Sequence, residues 1–387
     1  NTTICQGLTT QLIGSATAAT ANAWTSSDTA VATVDTTGLV TGVGAGTTTI
    51  TYTNSNGCVI TTVVTVNGTP SITGTLNVCE GLTTQLTGSA TAATTTPWVS
   101  SDTAVATIDN SGQVTAVSVG TTTITYTNSN GCITTAVVTV NGLPTITGTP
   151  TVCVNGTTQL TGSATAATTN AWISSDTAVA TVDTTGLVTG VGSGTATLTY
   201  TNSNGCITTV VVTVNALPTI TGTLAVCEGL TTQLTGSATA AATNAWISSD
   251  TAVATIASSG LVTALGSGTT TITYTNTDSC SITAVVTVNA LPSITGTLNV
   301  CEGLTTQLTG SGTAATTTPW VSSDTAVATI DNSGQVTAVS LGTTTITYTN
   351  SNGCVITAVV TVNALPTITG NTTICQGLTT QLIGSAT

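Results

Sequence analysis

The chain has 387 residues, with 13 acidic side chains but no lysine, arginine or histidine, so its formal net charge at pH 7 is −13. Without a cationic side chain it cannot neutralise phosphates or be attracted to anionic lipid headgroups, which excludes nucleic-acid binding and electrostatic membrane binding. Salt bridges between side chains are excluded as well, so apolar packing, backbone hydrogen bonds and disulfides must hold the fold together.

The sequence is a tandem repeat with a period of 74 residues. The segment Trp24–Asp35 returns, with few changes, at segments that begin with Trp98, Trp172, Trp246 and Trp320. A fixed period of this size marks the structural unit. We therefore predict five domains and the start of a sixth, with the bounds 1–68, 69–142, 143–216, 217–290, 291–364 and 365–387. Residues 371–387 repeat residues 1–17 letter for letter, so we expect the chain to be a segment of a longer array.

Within the first repeat, short segments rich in Thr, Val, Ile and Ala alternate between apolar and polar residues, which predicts strands and no helix. The predicted strands lie near residues 3–6, 8–13, 16–20, 22–26, 30–34, 39–43, 47–53 and 59–66, and the first two could form one bent strand. About seven short strands with turns between them predict an all-β, immunoglobulin-like sandwich. With a proline at each boundary, such units would follow one another as an elongated rod or filament.

The alternation also predicts which side chains face the core. In the strand near 47–53, Ile50 and Tyr52 should point inward, with the intervening threonines outside. In the strand near 59–66, Val64 and Val66 should be inside, and residues 54–58 between these strands form a turn.

The five copies of the repeat refine these assignments. Position 39 varies between Leu and Gln and should face outward, whereas position 40 is Val in every copy and should face inward. Trp24 and Val34 are expected in the core, with Asp28 and Thr29 exposed.

The cysteines are spaced with gaps that alternate between 53 and 21 residues. Two cysteines per repeat, with no histidine and no Cys-x-x-Cys spacing, favour disulfides in an oxidising compartment over a metal site. Two pairings are open: across the longer gap within a repeat, or across the shorter gap between repeats (Cys58–Cys79). We favour the first, because each repeat would then fold and be stabilised alone, by roughly 4 kcal/mol on the chain-entropy model. The predicted bonds are Cys5–Cys58, Cys79–Cys132, Cys153–Cys206, Cys227–Cys280 and Cys301–Cys354.

The residue types point away from catalysis. Nucleophilic and acid–base mechanisms usually use histidine, lysine or a perturbed pair of carboxylates, and only sparse carboxylates are present. A calcium site built on Asp28 and Asp35 would be lost in the fourth repeat, which has Ala257 at the second position. We therefore expect no enzyme, no cofactor and no metal site.

The motif Trp-x-Ser-Ser-Asp-x-x-Val-Ala-Thr-Val-Asp-x-x-Gly-x-Val-Thr, which begins at Trp24 and leads into the segment ending at Tyr52, resembles the bacterial immunoglobulin-like domain of group 2. That resemblance implies a compact β-sandwich used as a spacer or adhesive module in surface proteins such as intimins and invasins. The added cysteine pair is similar to the arrays of giant gliding-motility adhesins of the SprB type, which the type IX secretion system of Bacteroidota exports.

Several threonines that follow an aspartate resemble the Asp-Ser/Thr acceptor sites of O-glycosylation in Bacteroidota. The alternative is that Ser-Ser-Asp-Thr is only the usual loop of the family. The predicted acceptor residues are Thr29, Thr36, Thr103, Thr177, Thr184, Thr251 and Thr325.

Together these observations predict a structural stalk or filament segment of a very long, secreted cell-surface adhesin, used in surface adhesion or gliding motility. The alternatives are a multivalent carbohydrate-binding module and a subunit of a self-assembling extracellular fibre. The expected partners are neighbouring repeats of the same chain and, through other regions, surface polysaccharide or substratum. No apolar run approaches the ~20 residues that a membrane span needs, so we expect no membrane insertion of this segment.

Overall fold

The computed structural model describes residues 1–385, which divide into two units, Asn1–Val214 and the residues from Asn215 onward. All regular secondary-structure elements in this described part are β-strands, which confirms the all-β prediction. No helix within residues 1–385 is therefore long and apolar enough to cross a bilayer.

The strands recur with the period of the sequence. The first repeat contains β1 (Thr2–Cys5), β2 (Thr9–Gln11), β3 (Trp24–Ser26), β4 (Ala32–Val34), β5 (Leu39–Gly42), β6 (Gly46–Thr53) and β7 (Val59–Asn67). The second contains β8 (Ile72–Gly74), β9 (Asn77–Cys79), β10 (Thr83–Gly88), β11 (Trp98–Ser100), β12 (Ala106–Ile108), β13 (Gln113–Ala116), β14 (Gly120–Thr127) and β15 (Ile133–Asn141). The third contains β16 (Ile146–Gly148), β17 (Thr151–Cys153), β18 (Thr157–Gly162), β19 (Trp172–Ser174), β20 (Ala180–Val182), β21 (Leu187–Gly190), β22 (Gly194–Thr201) and β23 (Ile207–Asn215).

The later repeats follow the same order. The fourth contains β24 (Ile220–Gly222), β25 (Ala225–Cys227), β26 (Thr231–Gly236), β27 (Trp246–Ser248), β28 (Ala254–Ile256), β29 (Leu261–Ala264), β30 (Gly268–Thr275) and β31 (Ser281–Asn289). The fifth contains β32 (Ile294–Gly296), β33 (Asn299–Cys301), β34 (Thr305–Gly310), β35 (Trp320–Ser322), β36 (Ala328–Ile330), β37 (Gln335–Ala338), β38 (Gly342–Thr349) and β39 (Val355–Asn363). Two short strands, β40 (Ile368–Thr369) and β41 (Ile383–Gly384), pair with each other after it.

Each of repeats 2 to 5 consists of two four-stranded sheets. In repeat 2 one sheet has the order β12-β13-β10-β8 and the other the order β11-β14-β15-β9. The first repeat has the second kind of sheet, β1-β7-β6-β3, and a three-stranded version of the first, β2-β5-β4. This order of strands is that of an immunoglobulin-like sandwich, as predicted.

The long hairpin of each repeat has the predicted alternation. Ile124 and Tyr126 on β14 lie opposite Ala136 and Thr134 on β15, and both have exposures of 2% or less. In the first repeat Ile50, Tyr52, Val64 and Val66 are buried, which confirms their predicted inward orientation. Because side chains on a strand alternate between its two faces, the threonines between them form the outer surface.

In the sheet that contains the long hairpin, the strand that carries the first cysteine runs parallel to the second strand of the hairpin. β9 pairs with β15 in the register Val78↔Val140 and Cys79↔Asn141, and β1 pairs in the same way with β7. This parallel pairing brings the end of the first strand next to the end of the last one. It places the first cysteine of each repeat at the end of the sandwich from which the chain leaves.

Two details of the strand prediction are wrong. Residues 16–20 form no strand, because this segment makes only the single bridge Ala18↔Asn54. β1 and β2 are not one bent strand, since they lie in different sheets, separated by a turn with Gly7 at φ +83°.

Each repeat has a separate apolar core, which contains one tryptophan–tyrosine pair. The ring centroids of Trp98 and Tyr126 are 4.5 Å apart, and the geometry is similar in the other four repeats. Val40 and its counterparts are fully buried, as predicted. Trp24 and Val34, which we expected to be buried, are only partly buried and pack against the core of the first repeat.

Candidate functional site

The hydroxyl groups of the most strongly repeated motif, Trp-x-Ser-Ser-Asp, form hydrogen bonds that hold the local backbone. Ser100 Oγ donates to the carbonyl of Ala106 at 2.7 Å and lies 2.9 Å from Thr122 Oγ1. The buried Thr122 hydroxyl also accepts from the backbone N–H of Asp102 at 3.0 Å. The hydroxyl groups of this motif thus satisfy backbone groups where the chain leaves β11. Removing them would leave buried polar groups unpaired, which costs about 1–3 kcal/mol for each group.

In repeats 1, 2, 3 and 5 two aspartates bind the backbone of their own turns. Asp102 Oδ1 accepts from the N–H of Ala104 at 2.9 Å. Asp109 Oδ1 accepts from Ser111 Oγ at 2.7 Å and from the N–H groups of Ser111 and Gln113, each at 2.9 Å. These bonds favour the ionised form, so the Ser111 hydroxyl first, and then the Gln113 N–H, hold the pKa of Asp109 below its ordinary value of 3.8.

The carboxylates do not converge on a common point. Within residues 1–385 no group of three or more Asp, Glu, Cys or His side chains has the geometry to hold a metal ion. In the fourth repeat the turn keeps its backbone hydrogen bonds with Ala257 in place of the aspartate: Gly260 N–H donates to the Ala257 carbonyl at 2.9 Å. The carboxylate therefore strengthens the turn but is not required to form it.

All seven threonines predicted as glycosylation sites have exposed side chains. Thr29 and its counterparts lie in the loop after the motif aspartate, and Thr36 and Thr184 lie in the turn that follows β4 and β20. In that turn the next residue, Thr37, donates its hydroxyl to Asp35 Oδ1 at 2.7 Å. Glycosylation of these residues stays a prediction.

The predicted disulfide pairing within each repeat is wrong. Three bonds join the first cysteine of one repeat to the second cysteine of the next, with a sequence separation of 127 and Cα–Cα distances of 5.6 Å. They are Cys5–Cys132, Cys79–Cys206 and Cys227–Cys354. Cys153 and Cys280 are also disulfide-bonded. Cys58, Cys301 and Cys375 are free thiols in the described part of the chain. None of the five bonds Cys5–Cys58, Cys79–Cys132, Cys153–Cys206, Cys227–Cys280 and Cys301–Cys354 is present.

The parallel pairing of β1 and β7 explains why the bond within a repeat cannot form. Cys5 lies beside Asn67, the last residue of β7, whereas Cys58 precedes the first residue of that nine-residue strand. At about 3.3 Å per residue, the two cysteines are roughly 30 Å apart. A disulfide needs Cα atoms within about 7 Å. The alternative pairing between neighbours in sequence, Cys58–Cys79, is equally wrong, because Cys79 bonds to Cys206.

The hairpin turn of the following repeat supplies the actual partner. Cys132 Sγ lies 4.0 Å from the carbonyl oxygen of Asn67, and Cys206 Sγ lies 3.9 Å from that of Asn141. The tip of each of these hairpins therefore contacts the end of the preceding sandwich, beside its first cysteine. Pro70 and Pro144 are buried at the same joints. The sequence separation of 127 between partners equals one repeat of 74 residues plus the longer cysteine gap of 53 residues. Neither of the two predicted pairings combined these two distances.

A small cleft recurs beside the Trp–Tyr pair. In repeats 2, 4 and 5 its volume is about 200, 230 and 190 Å³, and in repeat 2 it is lined by Gly88, Ala90, Trp98, Ser111 and Tyr126 among others. The tyrosine hydroxyl does not face a ligand, because Tyr126 donates it to the carbonyl of Ala90 at 3.0 Å. In these three repeats the clefts are smaller than the usual sites for small molecules, which begin at about 300 Å³, whereas the corresponding cleft of the first repeat is about 370 Å³.

Five segments of the chain match the family model of the bacterial Ig-like domain (group 2): residues 1–66, 60–140, 144–214, 211–288 and 292–362. Among curated proteins, Ice-binding protein 1 of Shewanella frigidimarina is 28% identical over 412 residues, which covers 90% of this chain and 46% of that protein. The chain therefore spans less than half the length of this relative.

Among solved structures, invasin, a bacterial integrin-binding protein, matches with a TM-score of 0.28 and 16% identity over 84% of this chain and 76% of invasin. The S-layer protein rSbsC matches with a TM-score of 0.20 and 16% identity over 82% of this chain and 62% of that chain. With TM-scores below 0.5, these likenesses carry no weight for the fold or for function.

Proposed function

Because the chain belongs to the bacterial Ig-like domain family (group 2), we propose that it is a stalk or filament segment of a very long secreted cell-surface adhesin. The observation that carries this proposal is the disulfide pattern. Bonds such as Cys5–Cys132 and Cys79–Cys206 cross the joints between successive repeats, so each of these joints is held by a second covalent connection besides the backbone. A reinforced joint is useful in a chain that transmits load.

The disulfides and the family also indicate an extracellular protein, since disulfides persist in oxidising compartments. Location at the cell surface, export by the type IX secretion system and a role in gliding motility extend the proposal. Disruption of type IX export in the source organism should retain the chain inside the cell, as measured by immunoblotting of cell and surface fractions. Normal display of the chain on such cells would contradict type IX export but would not affect the proposed stalk function.

The stalk itself is tested by varying the number of repeats. Arrays of two to five repeats are placed between a surface anchor and an epitope tag, and the distance of the tag from the cell is measured by immunogold microscopy. A stalk predicts that this distance grows with each added repeat. A distance that does not depend on repeat number would contradict the proposal.

Glycosylation of the exposed threonines would fit such a surface, because attached sugars would solvate a chain with only 13 charged side chains. Thr29 and Thr103, each directly after an aspartate, are the sites that we propose first. Intact-mass and glycopeptide measurements on protein from the source organism should show added hexoses there. An unmodified mass would exclude the modification.

Carbohydrate binding by each repeat is the first alternative, and the structure gives little support to it. Trp98, Trp172 and Trp320 are 6–8% exposed, so in these repeats the tryptophan presents no face on which a sugar could stack, whereas Trp24 and Trp246 are partly buried. Retention of the five-repeat chain on a polysaccharide column, increasing with repeat number, would revive this alternative.

Assembly into a fibre by edge-to-edge pairing is the second alternative. The edge strands of repeat 2, β8, β9, β11 and β12, have three residues each. Short edges offer few unpaired backbone groups for pairing with another chain. Sedimentation of the isolated chain as a monomer at all concentrations is the result that we expect.

Ice binding, which the name of the curated relative states for that protein, is not proposed for this chain. The match leaves more than half of the relative uncovered, and a stalk needs no affinity for ice. Thermal hysteresis of the purified chain would show otherwise.

A further inference from the structure

The disulfides change what happens to the chain after its repeats unfold. Cys5–Cys132, Cys79–Cys206 and Cys227–Cys354 each close a loop of 127 residues, and the first two loops overlap. A load applied at the two ends of an unfolded chain is carried by the shortest covalent route between them. Residues outside that route stay slack.

We propose that these bonds set a covalent limit to extension, so that complete unfolding of every repeat releases only a small part of the chain length. The route runs through residues 1–5, crosses to Cys132, returns to Cys79, crosses to Cys206 and continues to Cys227. It then crosses to Cys354 and follows residues 354–387.

This route contains about 110 residues. At roughly 3.5 Å per residue the unfolded, oxidised chain can reach about 39 nm, whereas the reduced chain can reach about 135 nm. The limit therefore reduces the maximum length to less than a third. It follows from covalent connectivity alone and goes beyond the proposed stalk function, because it holds for whatever the chain does.

Most of the bonded cysteines are buried in the folded repeats, where reductants in solution cannot reach them. Cys132, Cys206 and Cys354 are each 1% exposed, and Cys79 and Cys227 are each 8% exposed. A disulfide breaks by attack on its sulfur, so burial shields it from thiols in solution. Unfolding of the repeats removes this protection.

Single-molecule force spectroscopy on the full chain tests this inference, with handles attached enzymatically at the two termini so that no cysteine is used. Thiol titration first counts the free thiols, and peptide mapping without reductant identifies the disulfide-bonded pairs. The oxidised chain should stop at a contour length of about 39 nm, and the same chain after unfolding in a phosphine reductant at about 135 nm. The phosphine takes up the oxygen of one water molecule for each disulfide and leaves two thiols.

Matched variants give the sharper result. Cys5→Ser removes the first bond, so the route must follow residues 1–79 and lengthens by about 21 residues, or roughly 7 nm. Cys58→Ser removes a free thiol and should leave the limit unchanged. An oxidised chain that extends towards 135 nm, or a Cys5→Ser variant of unchanged length, would overturn the inference. The immunogold test of the stalk can fail while this limit holds, so the two results are distinguishable.

Discussion

At the scale of single residues, one asparagine closes the hairpin turn that carries the second cysteine of each repeat. Asn128 Oδ1 accepts from the N–H groups of Asn130 and Cys132 at 3.1 and 2.9 Å. Gly131 follows at φ +78°, a left-handed conformation in which a side chain is strained. In the fourth repeat this place is taken by Ser279 at φ +62°.

We expect Ser279→Gly to stabilise the fourth repeat by about 1 kcal/mol, because glycine adopts this conformation without the penalty of a Cβ atom. Gly131→Ser should destabilise the second repeat by a similar amount. Urea denaturation measured by tryptophan fluorescence gives both values. A fall in stability for Ser279→Gly would show that the serine makes a compensating contact.

The turn aspartates predict a pH dependence. Hydrogen bonds, from the Thr37, Ser111, Thr185 and Ser333 hydroxyls first, lower the pKa of Asp35, Asp109, Asp183 and Asp331. Since the pKa is lower in the folded state, the stabilisation is complete above the unfolded pKa of about 3.8. It is lost as the pH falls through the folded value.

Repeat 4, which has Ala257 at this position, offers a matched test. We expect Ala257→Asp to stabilise the chain at pH 7 and to lose that effect as the pH falls below 3.8 and through the lowered pKa of the folded carboxyl group, where the carboxylate becomes protonated. Asp109→Ala should show the mirror image. Thermal unfolding at pH 7 and at a series of pH values below 3.8 measures the change; a gain that does not shrink on acidification would show that ionisation is not the cause.

At the scale of elements, the parallel first strand decides the role of the cysteines. Because β9 lies beside β15 with Cys79 next to Asn141, the first cysteine is carried to the exit end of its sandwich. The hairpin turn holds the second cysteine at the opposite end. One repeat therefore presents one cysteine to each neighbour, and repeats are not separate units stabilised by bonds of their own.

Cleavage of the backbone between two disulfide-linked repeats should consequently leave the two fragments covalently joined. We expect a chain with a protease site inserted after Gly68, and then cleaved, to migrate as a single species until reductant releases the first repeat. Of the bonds Cys5–Cys132, Cys79–Cys206 and Cys227–Cys354, the first spans this joint. Electrophoresis with and without reductant gives the result.

The control for this cleavage is Cys5→Ser, which should release the first repeat without reductant. Cys58→Ser, cut in the same place, should stay linked. Release of the first repeat from the oxidised parent chain would mean that the bond across this joint does not form.

At the scale of the whole molecule, the overlapping loops that the disulfides close restrict the conformations of the unfolded chain. A closed loop of 127 residues stabilises the folded state by about 5 kcal/mol on the chain-entropy model. That effect is shared between the two repeats that each bond joins, so the unfolding of neighbours is coupled.

We expect reduction of the bonds to lower the thermal midpoint by roughly 10–20 °C, because the loop constraint on the unfolded state is lost. The single oxidised transition should also broaden or divide as the repeats unfold separately. Calorimetry of the oxidised and the fully reduced chain measures both effects. Cys58→Ser should leave the oxidised midpoint unchanged, and equal midpoints in the two redox states would contradict the expectation.

Sequence alone determined the period, most of the strands and the inward faces of the long hairpin strands, because all three depend on local spacing; the predicted strand at 16–20 and the full burial of Trp24 and Val34 are the exceptions. Ile50, Val64 and Val40 are buried as the alternation requires, and the spacing of the cysteines correctly indicated disulfides. The tertiary structure alone decided the partner of each cysteine. Cys5 is fixed by a parallel pairing with a strand more than 50 residues away in sequence, and Cys132 by contact with the preceding repeat. Neither relation leaves a local pattern, since both arise only when complete sandwiches meet.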